Sequence, residues 1–260
     1  MTPSDPGQRA ADVAAKAPPA DPARLRDLVL ANRILAHHGV VDAFGHVSVR
    51  HDKAPDRFLL ARNMAPAQVG TTDIIEFTLD GDPVDAAGRH VYLERFIHGE
   101  ILRRFPAVQA VVHSHAPAVV PFGVVKSRPL RALWHMSAFL GNRGVPVWDI
   151  CDCAGDGSDL LIRNRELGCS LASAFDSGDC AVLMRGHGAT VIGADLQEVV
   201  FRAVYTQHNA ALQQQALALG EIRFLSEAEA RAAGQSVGSQ RERAWNLWVD
   251  QVGGTGLADG

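Results

Sequence analysis

Two histidines stand two positions apart in the stretch VVHSHAPAVV, which covers residues 111–120. In an extended strand, residues i and i+2 point to the same face, so the imidazoles of His113 and His115 converge on one point. That convergence is what a divalent metal requires of its first two ligands. The spacing fits equally well two partly exposed polar side chains where a strand emerges, and on its own it does not decide between the two.

A third histidine favours the metal. His187 lies in the run LMRGHGATVIG, in a predicted turn between two apolar strands, with Gly186 and Gly188 on either side. Glycines on both sides let the backbone bend sharply and leave room beside the imidazole. A set of three histidines is a standard arrangement for zinc or manganese, so the three residues together predict a metal site.

A carboxylate beside such an ion would complete a reactive site. Glu94 and His98 are four residues apart on a predicted helix that precedes the His-Ser-His strand, so they share a face of that helix. The alternative for Glu94 is an ion pair with Arg95 or Arg104 on a solvated surface. The composition of the segment does not exclude that alternative.

The other histidines are expected to be structural. At predicted helix or strand ends, solvent or a helix C-terminus satisfies an imidazole, which is the expectation for His37, His38, His51 and His90. On the long final helix, packing is favoured for His208 and Tyr205 over a place near the site. His135 is a weaker candidate, because Trp134 and Phe139 around it are typical of core or of a subunit contact.

Helices and strands interleave along the chain without a strict strand-helix-strand rhythm. Asp21 as cap, Pro22 in the first turn and Gly39 as the stop predict the first helix. Short extended segments then predict an antiparallel meander, with Asp80-Gly81 as a tight turn between two strands. Later helices are predicted in YLERFIHGEILRRF, NRELGCSLASAF and DLQEVVFRAVYTQHNAALQQQALAL, and later strands in AVQAVVHSH, VPVWDI and CAVLMRGHGATVIG. We therefore expect three layers around a mainly antiparallel or mixed sheet.

The chain has the composition of an ordinary globular protein. Its 260 residues, 47% hydrophobic and 21% charged, fit one domain over residues 22–250, with a disordered tail at 1–21 and a loose tail at 251–260. A net charge of −4 gives no basic patch for nucleic acid or an anionic membrane, and no segment is apolar enough to span one. The N-terminus lacks a secretory signal, so we expect a cytoplasmic protein. The four cysteines are interpreted as buried or incidental thiols: Cys151, Cys153, Cys169 and Cys180.

The motifs ERFIHGEILRRFPAVQAVVHSHAPAVV and RGHGATVIG, in this order, resemble the class II aldolase/adducin family. The resemblance extends from about Leu25 to about Leu219. It implies that three histidines, His113, His115 and His187, bind one catalytic divalent metal per subunit. It also implies that Glu94 is the acid/base beside that metal. The fold it implies is a three-layer α/β/α sandwich around a mainly antiparallel sheet, assembled as a homotetramer with active sites at subunit interfaces.

Two departures from the sugar-phosphate aldolases of this family change the expected substrate. Those aldolases have Gly-Asn-x-Ser-x-Arg where this chain has GHVSVR, so His46 replaces the Asn. The run LLARNMAPAQVG also lacks the hydroxyls and glycines that would cradle a phosphate. His46 and Arg62 instead resemble the branch of metal-dependent decarboxylases that act on hydroxylated aromatic or pyridine dicarboxylates and on ring-cleavage products.

In that branch, His46 and Arg62 would hold substrate carboxylates, Arg62 by a two-pronged hydrogen bond. Ser48 lies on the same face of the same predicted strand as His46 and is a further candidate for substrate binding. Arg50 is placed likewise, and a surface charge is an equally good interpretation of it.

Three functions are therefore considered. The first is a decarboxylase of a hydroxylated aromatic acid or a ring-cleavage dienoate, which uses zinc, manganese or cobalt to stabilise the electrons left by CO2. The second is a metal-dependent retro-aldolase on an unphosphorylated hydroxy-keto acid. The third is a non-catalytic scaffold like the adducins, which is disfavoured because the three histidines and Glu94 are all present. The expected partners are a small carboxylate substrate and further copies of the chain, with no nucleic acid and no membrane.

Overall fold

A seven-stranded mixed sheet forms the centre of the computed structural model, which describes residues 17–176 and 178–253. The strands lie in the order β3-β2-β1-β4-β7-β6-β5, and all neighbours are antiparallel except β5 and β6. Their bounds are β1 His46–Arg50, β2 Arg57–Ala61, β3 Ile74–Thr78, β4 Ala110–Ser114, β5 Val147–Trp148, β6 Ala181–Met184 and β7 Gly188–Gly193.

Eight α-helices and three short 3-10 turns connect or cover the strands within the described residues. The helices are α1 Pro22–His37, α2 Arg95–Arg104, α3 Val120–Val124, α4 Cys151–Ala154, α5 Arg165–Ser173, α6 Leu196–Leu219, α7 Glu227–Gly238 and α8 Arg241–Gln251. The 3-10 turns are Pro66–Gln68, Thr71–Asp73 and His135–Leu140. Each helix of the described part is too short or too polar to cross a membrane.

The sheet is covered by helices on both faces, which makes the fold the expected three-layer α/β/α sandwich. Alternate strand residues point to opposite faces, so Val47 and Val49 of β1 join one core while Phe58 and Leu60 of β2 join the other. Helices α1, α6 and α8 contribute apolar side chains to the first core, and α2 and α5 contribute to the second. We call these the α6 face and the α2 face.

The capping and stop residues predicted for the first helix have these roles in the structure. Asp21 caps α1 by accepting a hydrogen bond from the Ala23 N–H, Pro22 opens the helix, and Gly39 follows it with φ of 65°. The predicted meander is β1-β2-β3, and the predicted hairpin is β6-β7.

One detail of the meander was wrong. Asp80-Gly81 does form a turn, with Gly81 at φ of 84°, but no strand begins directly after it. Beyond the turn, the described chain makes an isolated bridge between Phe77 and Pro83, in which the Thr78 N–H donates to the Asp82 carbonyl and the Val84 N–H donates to the Glu76 carbonyl.

The predicted tails fall mostly on residues that the structure does not describe, namely 1–16 and 254–260. Where described, residues near these ends touch the domain. Lys53 donates to the carbonyl of Pro19, the backbone N–H of Asp21 donates to Asp52, and Gln251 is the last residue of α8.

Candidate metal centre

The end of β4 and the β6-β7 turn are held against each other by the sheet. His113 lies in register with Thr190 of β7 and with His46 of β1, and His115 follows directly after the end of β4. A Cβ on Gly188 would lie 2.0 Å from the Ser114 carbonyl oxygen, so only glycine permits this approach. The result is that His187, at the tip of the turn, faces the two histidines of β4.

The three imidazoles meet through their Nε2 atoms. His115 Nε2 lies 3.0 Å from His113 Nε2 and 2.9 Å from His187 Nε2. Two nitrogens bound to one divalent ion at ~2.1 Å are themselves separated by ~3.0–3.4 Å, for angles between about 90° and 109°. The donor atoms are thus already spaced as a shared divalent ion would hold them.

Glu94 completes the group from the start of α2. It is the N-cap residue of that helix, and its Oε2 lies 3.6 Å from His113 Nε2 and 3.6 Å from His187 Nε2. Its Oε1 accepts a 3.0 Å hydrogen bond from the backbone N–H of Ile162. The donor atoms of Glu94 and the three histidines all lie within 4.8 Å of one another, which makes them a cluster able to hold a metal.

The protonation states of this cluster suit a cation. Burial, together with neighbouring histidines, lowers the pKa of His187 to about 4 and that of His113 well below its usual value. His187 Nδ1 lies 2.9 Å from the Leu160 carbonyl, which can only accept, so Nδ1 carries the proton and Nε2 offers its lone pair. His113 Nδ1 is buried without a partner in the described chain, so Nε2 is the ring nitrogen through which His113 makes its polar contacts.

Glu94 is perturbed in the opposite sense. Burial raises the pKa of Glu94 to about 7, since the opposing effects of the Ile162 N–H and the more distant Arg163 are smaller and Asp159 adds to the rise. A carboxyl group with such a pKa exchanges a proton near neutrality, which is the property of a general acid or base.

The three residues predicted to bind substrate lie in different surroundings. The His46 ring packs against His113 and Tyr92, with centroids 5.1 and 4.7 Å away, so it borders the cluster. Ser48 is fully buried and its hydroxyl lies 2.6 Å from His98 Nδ1 rather than in an open cleft. Arg62 is 39% exposed, and its Nε donates to Asp73 at 2.7 Å.

The interpretation of Arg50 as a surface charge is wrong. Arg50 is buried, and its guanidinium donates to backbone carbonyls of Leu102, Phe105 and Val108. Arg50 therefore ties β1 to the C-terminal end of α2 and the loop after it. The surface-charge interpretation failed because a strand pattern shows which face a side chain lies on but not which loop covers it.

Two further residues border the site without having been given a role from the sequence. His98 bridges Ser48 and His46, and the sequence showed only that it shares a helix face with Glu94. Tyr92 packs on His46 and donates its hydroxyl proton to the Met64 carbonyl. Its position two residues before Glu94 carries no pattern that could have identified it.

The residues treated as structural lie away from the cluster. Tyr205 and His208 are on the α6 face, where Tyr205 packs against Phe201, Trp134 and Trp248. His135 opens a 3-10 turn beside Trp134. All four cysteines are free thiols.

With this fold and this cluster, the class of protein follows from the comparisons. Residues 26–214 match the family described as Class II Aldolase and Adducin N-terminal domain, and the chain belongs to that family. It is similar to L-fuculose 1-phosphate aldolase from Glaciozyma antarctica PI12, with a TM-score of 0.72 over 94% of this chain and 97% of that one. At 23% identity, that likeness shows the fold alone.

Two relatives indicate the branch. The chain is 39% identical to decarboxylase tropJ of Talaromyces stipitatus, over 90% of this chain and 95% of that protein. It is 33% identical to 3,4-dihydroxyphthalate decarboxylase of a Terrabacter species, over 85% of this chain and 93% of that protein. These similarities support a lyase, and more narrowly a decarboxylase of the class II aldolase family.

Proposed function

We propose that this protein is a divalent-metal-dependent decarboxylase of a hydroxylated aromatic dicarboxylic acid, of the phthalate or pyridine-dicarboxylate type. The observation that carries the proposal is the cluster of three Nε2 atoms and one carboxylate within 4.8 Å of one another. The decarboxylase relatives support the reaction, and the substitution of His46 in GHVSVR supports a carboxylate rather than a sugar phosphate.

His113, His115 and His187 would hold the ion, with Glu94 beside it. When bound, a divalent metal supplies a Lewis acid that stabilises the negative charge left on the substrate as CO2 departs. The donor set of three imidazoles and a carboxylate suits zinc, manganese and cobalt alike.

Glu94 would deliver the proton that replaces CO2. When the bond from the ring carbon to the carboxylate breaks, its electron pair stays on the ring carbon, which must then take a proton. Glu94 has one oxygen held by Ile162 and the other facing the cluster, so its proton-bearing oxygen is kept in place.

His46 and Arg62 would orient the substrate through its carboxylates. His46 lies beside His113, so it would meet a group close to the reacting carbon. Arg62 uses Nε for Asp73, and its two Nη groups have no hydrogen-bond partner in the described chain, so they can form a pair of bonds with a carboxylate.

A CO2-release assay tests this function. Protein loaded with zinc, manganese or cobalt is offered hydroxylated phthalates and pyridine dicarboxylates, and we expect CO2 from at least one acid and loss of activity after chelation. His113→Ala should lose both bound metal and CO2 release, whereas His37→Ala, an exposed histidine at the C-terminal end of α1, should keep both.

Two outcomes would contradict the proposal. A folded wild-type protein that binds no divalent ion would exclude metal-dependent chemistry. A metal-loaded protein that releases no CO2 but splits an unphosphorylated hydroxy-keto acid into a carbonyl product and a keto acid would identify a retro-aldolase instead.

We further infer a homotetramer with active sites at subunit interfaces. The ring of Phe44 is 66% exposed, and its centroid lies 6.5 Å from that of His115, so an exposed aromatic ring borders the cluster. A neighbouring subunit that met the site would cover this ring. Light scattering should give four times the chain mass of 27.9 kDa, and a monomer mass would contradict this inference.

A further inference from the structure

A line of three buried side chains leads from the interior of the α2 face to the metal cluster. Ser48 Oγ lies 2.6 Å from His98 Nδ1, and His98 Nε2 lies 2.6 Å from His46 Nδ1. Ser48 and His98 are fully buried, and His46 retains 4% exposure. We call these three residues the Ser48 chain.

The hydroxyl of Ser48 sets the direction of the first hydrogen bond. Within the described residues, His98 Nδ1 is the one hydrogen-bond partner of Ser48 Oγ. If Ser48 accepted from His98, its own proton would be buried without an acceptor, which costs about 1–3 kcal/mol. Ser48 therefore donates, and His98 Nδ1 accepts.

The direction of the second bond follows from the first. A neutral imidazole has one N–H, so accepting at Nδ1 places the proton of His98 on Nε2. Burial lowers the pKa of His98 to about 3, which keeps the ring neutral. His98 Nε2 consequently donates to His46 Nδ1.

The remaining nitrogen of His46, Nε2, has no partner within the Ser48 chain. His46 Nε2 makes no hydrogen bond within the described chain, and it is not among the sealed, unpaired polar atoms, which include His113 Nδ1. Since Nδ1 of His46 accepts, Nε2 carries the ring proton. The Nε2–H of His46 thus points away from the other members of the Ser48 chain, beside the candidate metal ligands.

We propose that Ser48 and His98 are positioning residues that fix the tautomer of His46, so that its Nε2–H donates to an anionic oxygen of the substrate. The role toward substrate rests on the proposed function, whereas the tautomer does not. In the opposite tautomer, His46 would present a lone pair, which repels a carboxylate. The Ser48 chain therefore selects for a negatively charged oxygen at this place, although Ser48 itself never touches the substrate.

The tautomer is measured directly by nitrogen NMR on zinc-loaded protein with 15N-labelled histidine. The His46 signals are assigned by their loss in His46→Gln. We expect a protonated Nε2 and a bare Nδ1 in the wild type and in Ser48→Thr, which keeps the hydroxyl. In Ser48→Ala we expect both tautomers. A wild-type Nδ1–H, or an unchanged spectrum in Ser48→Ala, would overturn the proposal.

Variants at the middle residue provide a second test. Gln at position 98 can accept from Ser48 through its oxygen and donate to His46 through its amide N–H, whereas Leu can do neither. His98→Gln should therefore keep the wild-type tautomer of His46, and His98→Leu should lose it. Should His98→Leu fail to fold, Ser48→Ala and His98→Gln still decide the matter.

Phthalate binding tests the role of the Ser48 chain separately from the proposed function. Ser48→Ala should bind phthalate about tenfold more weakly than wild type, the worth of one hydrogen bond to a charged group, while Ser48→Thr stays within about twofold. Suppose that the wild type releases CO2 but Ser48→Ala and Ser48→Thr bind phthalate equally well. That result would overturn the role of the Ser48 chain and leave the proposed function intact. The expected tautomers in a protein that neither binds phthalate nor releases CO2 would overturn the proposed function and support the tautomer assignment.

Discussion

Glu94 and Glu100 are both buried carboxylates at the same helix, yet their surroundings differ. Glu100 is paired with Arg165 at 2.7 Å and Arg103 at 3.5 Å, so its charge is compensated. Glu94 receives one backbone N–H and otherwise faces imidazoles. At the scale of the residue, the two carboxylates differ in the arginines that pair with Glu100, which is why Glu94 is the candidate acid/base and Glu100 is not.

Replacing Glu94 by Gln should reduce turnover without unfolding the protein. Gln keeps the shape and can still accept from the Ile162 N–H, but it cannot transfer a proton. We expect kcat for CO2 release to fall ~100-fold or more, as for the loss of a general acid. The matched control is Glu100→Gln, which should change stability through its lost ion pairs but leave kcat within about twofold. Equal kcat in Glu94→Gln and wild type would exclude Glu94 as the proton donor.

At the scale of elements, close backbone contacts at glycines position the cluster. Gly188 brings the β6-β7 turn against the end of β4. On the other side, a Cβ on Gly168 of α5 would lie 2.6 Å from the Phe96 carbonyl of α2, and one on Gly99 would lie 2.4 Å from the Leu79 carbonyl. Helix α2 is thereby held close to its neighbours, which places Glu94 at the histidines.

Substituting Ala for Gly188 should separate the turn from β4. The added methyl group would overlap the Ser114 carbonyl, so the free energy of unfolding should fall by about 2 kcal/mol or more in urea titrations. Because His187 adjoins the displaced residue, zinc affinity should fall as well. Gly157→Ala is the control, since its Cβ would have no atom within 4 Å. Wild-type stability and zinc affinity in Gly188→Ala would show that the approach does not position the ligand.

At the scale of the whole molecule, the two faces of the sheet differ in what packs against them. The candidate metal ligands and the Ser48 chain lie on the α2 face, whereas α1, α6 and α8 pack around an apolar core with several aromatic side chains on the α6 face. His38 lies in that core, with its ring 4.8 Å from Trp248, and its Nε2 is buried without a partner in the described chain. Burial, followed by His37 and His208, lowers the pKa of His38 to about 4.

This histidine should make the fold sensitive to acid. The folded-state pKa of about 4 lies below the ordinary value of 6.5, so between these pH values the unfolded chain binds a proton that the folded chain does not. The free energy of unfolding should therefore decrease as pH falls from 6.5 towards 4.

Urea titrations of wild type and His38→Gln across this range test the expectation. The variant should lose stability less steeply below pH 6.5, because it has no proton to bind at this position. Above about pH 8, where His38 is almost entirely neutral in both states, the two slopes should agree. Equal slopes below pH 6.5 would show that His38 does not cause the acid sensitivity.

Much of the fold was predictable because its signals are local. The cap at Asp21, the meander, the β6-β7 hairpin and the long α6 all follow from residue types within a few positions. No helix was predicted after Leu219, although α7 and α8 follow. Helix α7 buries Ala230 and α8 buries Trp245 and Trp248, so their apolar patterns are too sparse to indicate a helix before the partner surface is known.

The sequence by itself determined the residue types of the candidate centre: a His-x-His strand end, a glycine-flanked histidine and a helix glutamate. These are recognisable because strand alternation and glycine turns act over a few residues. Only the tertiary structure decided that Ser48 lies under His98, that Arg50 ties down loop carbonyls, and that Glu94 accepts a hydrogen bond from the Ile162 N–H while Arg95 bonds to backbone carbonyls. Except for those of Arg95, these contacts join residues about 50 or more positions apart, whose meeting depends on strand register and helix docking rather than on local pattern.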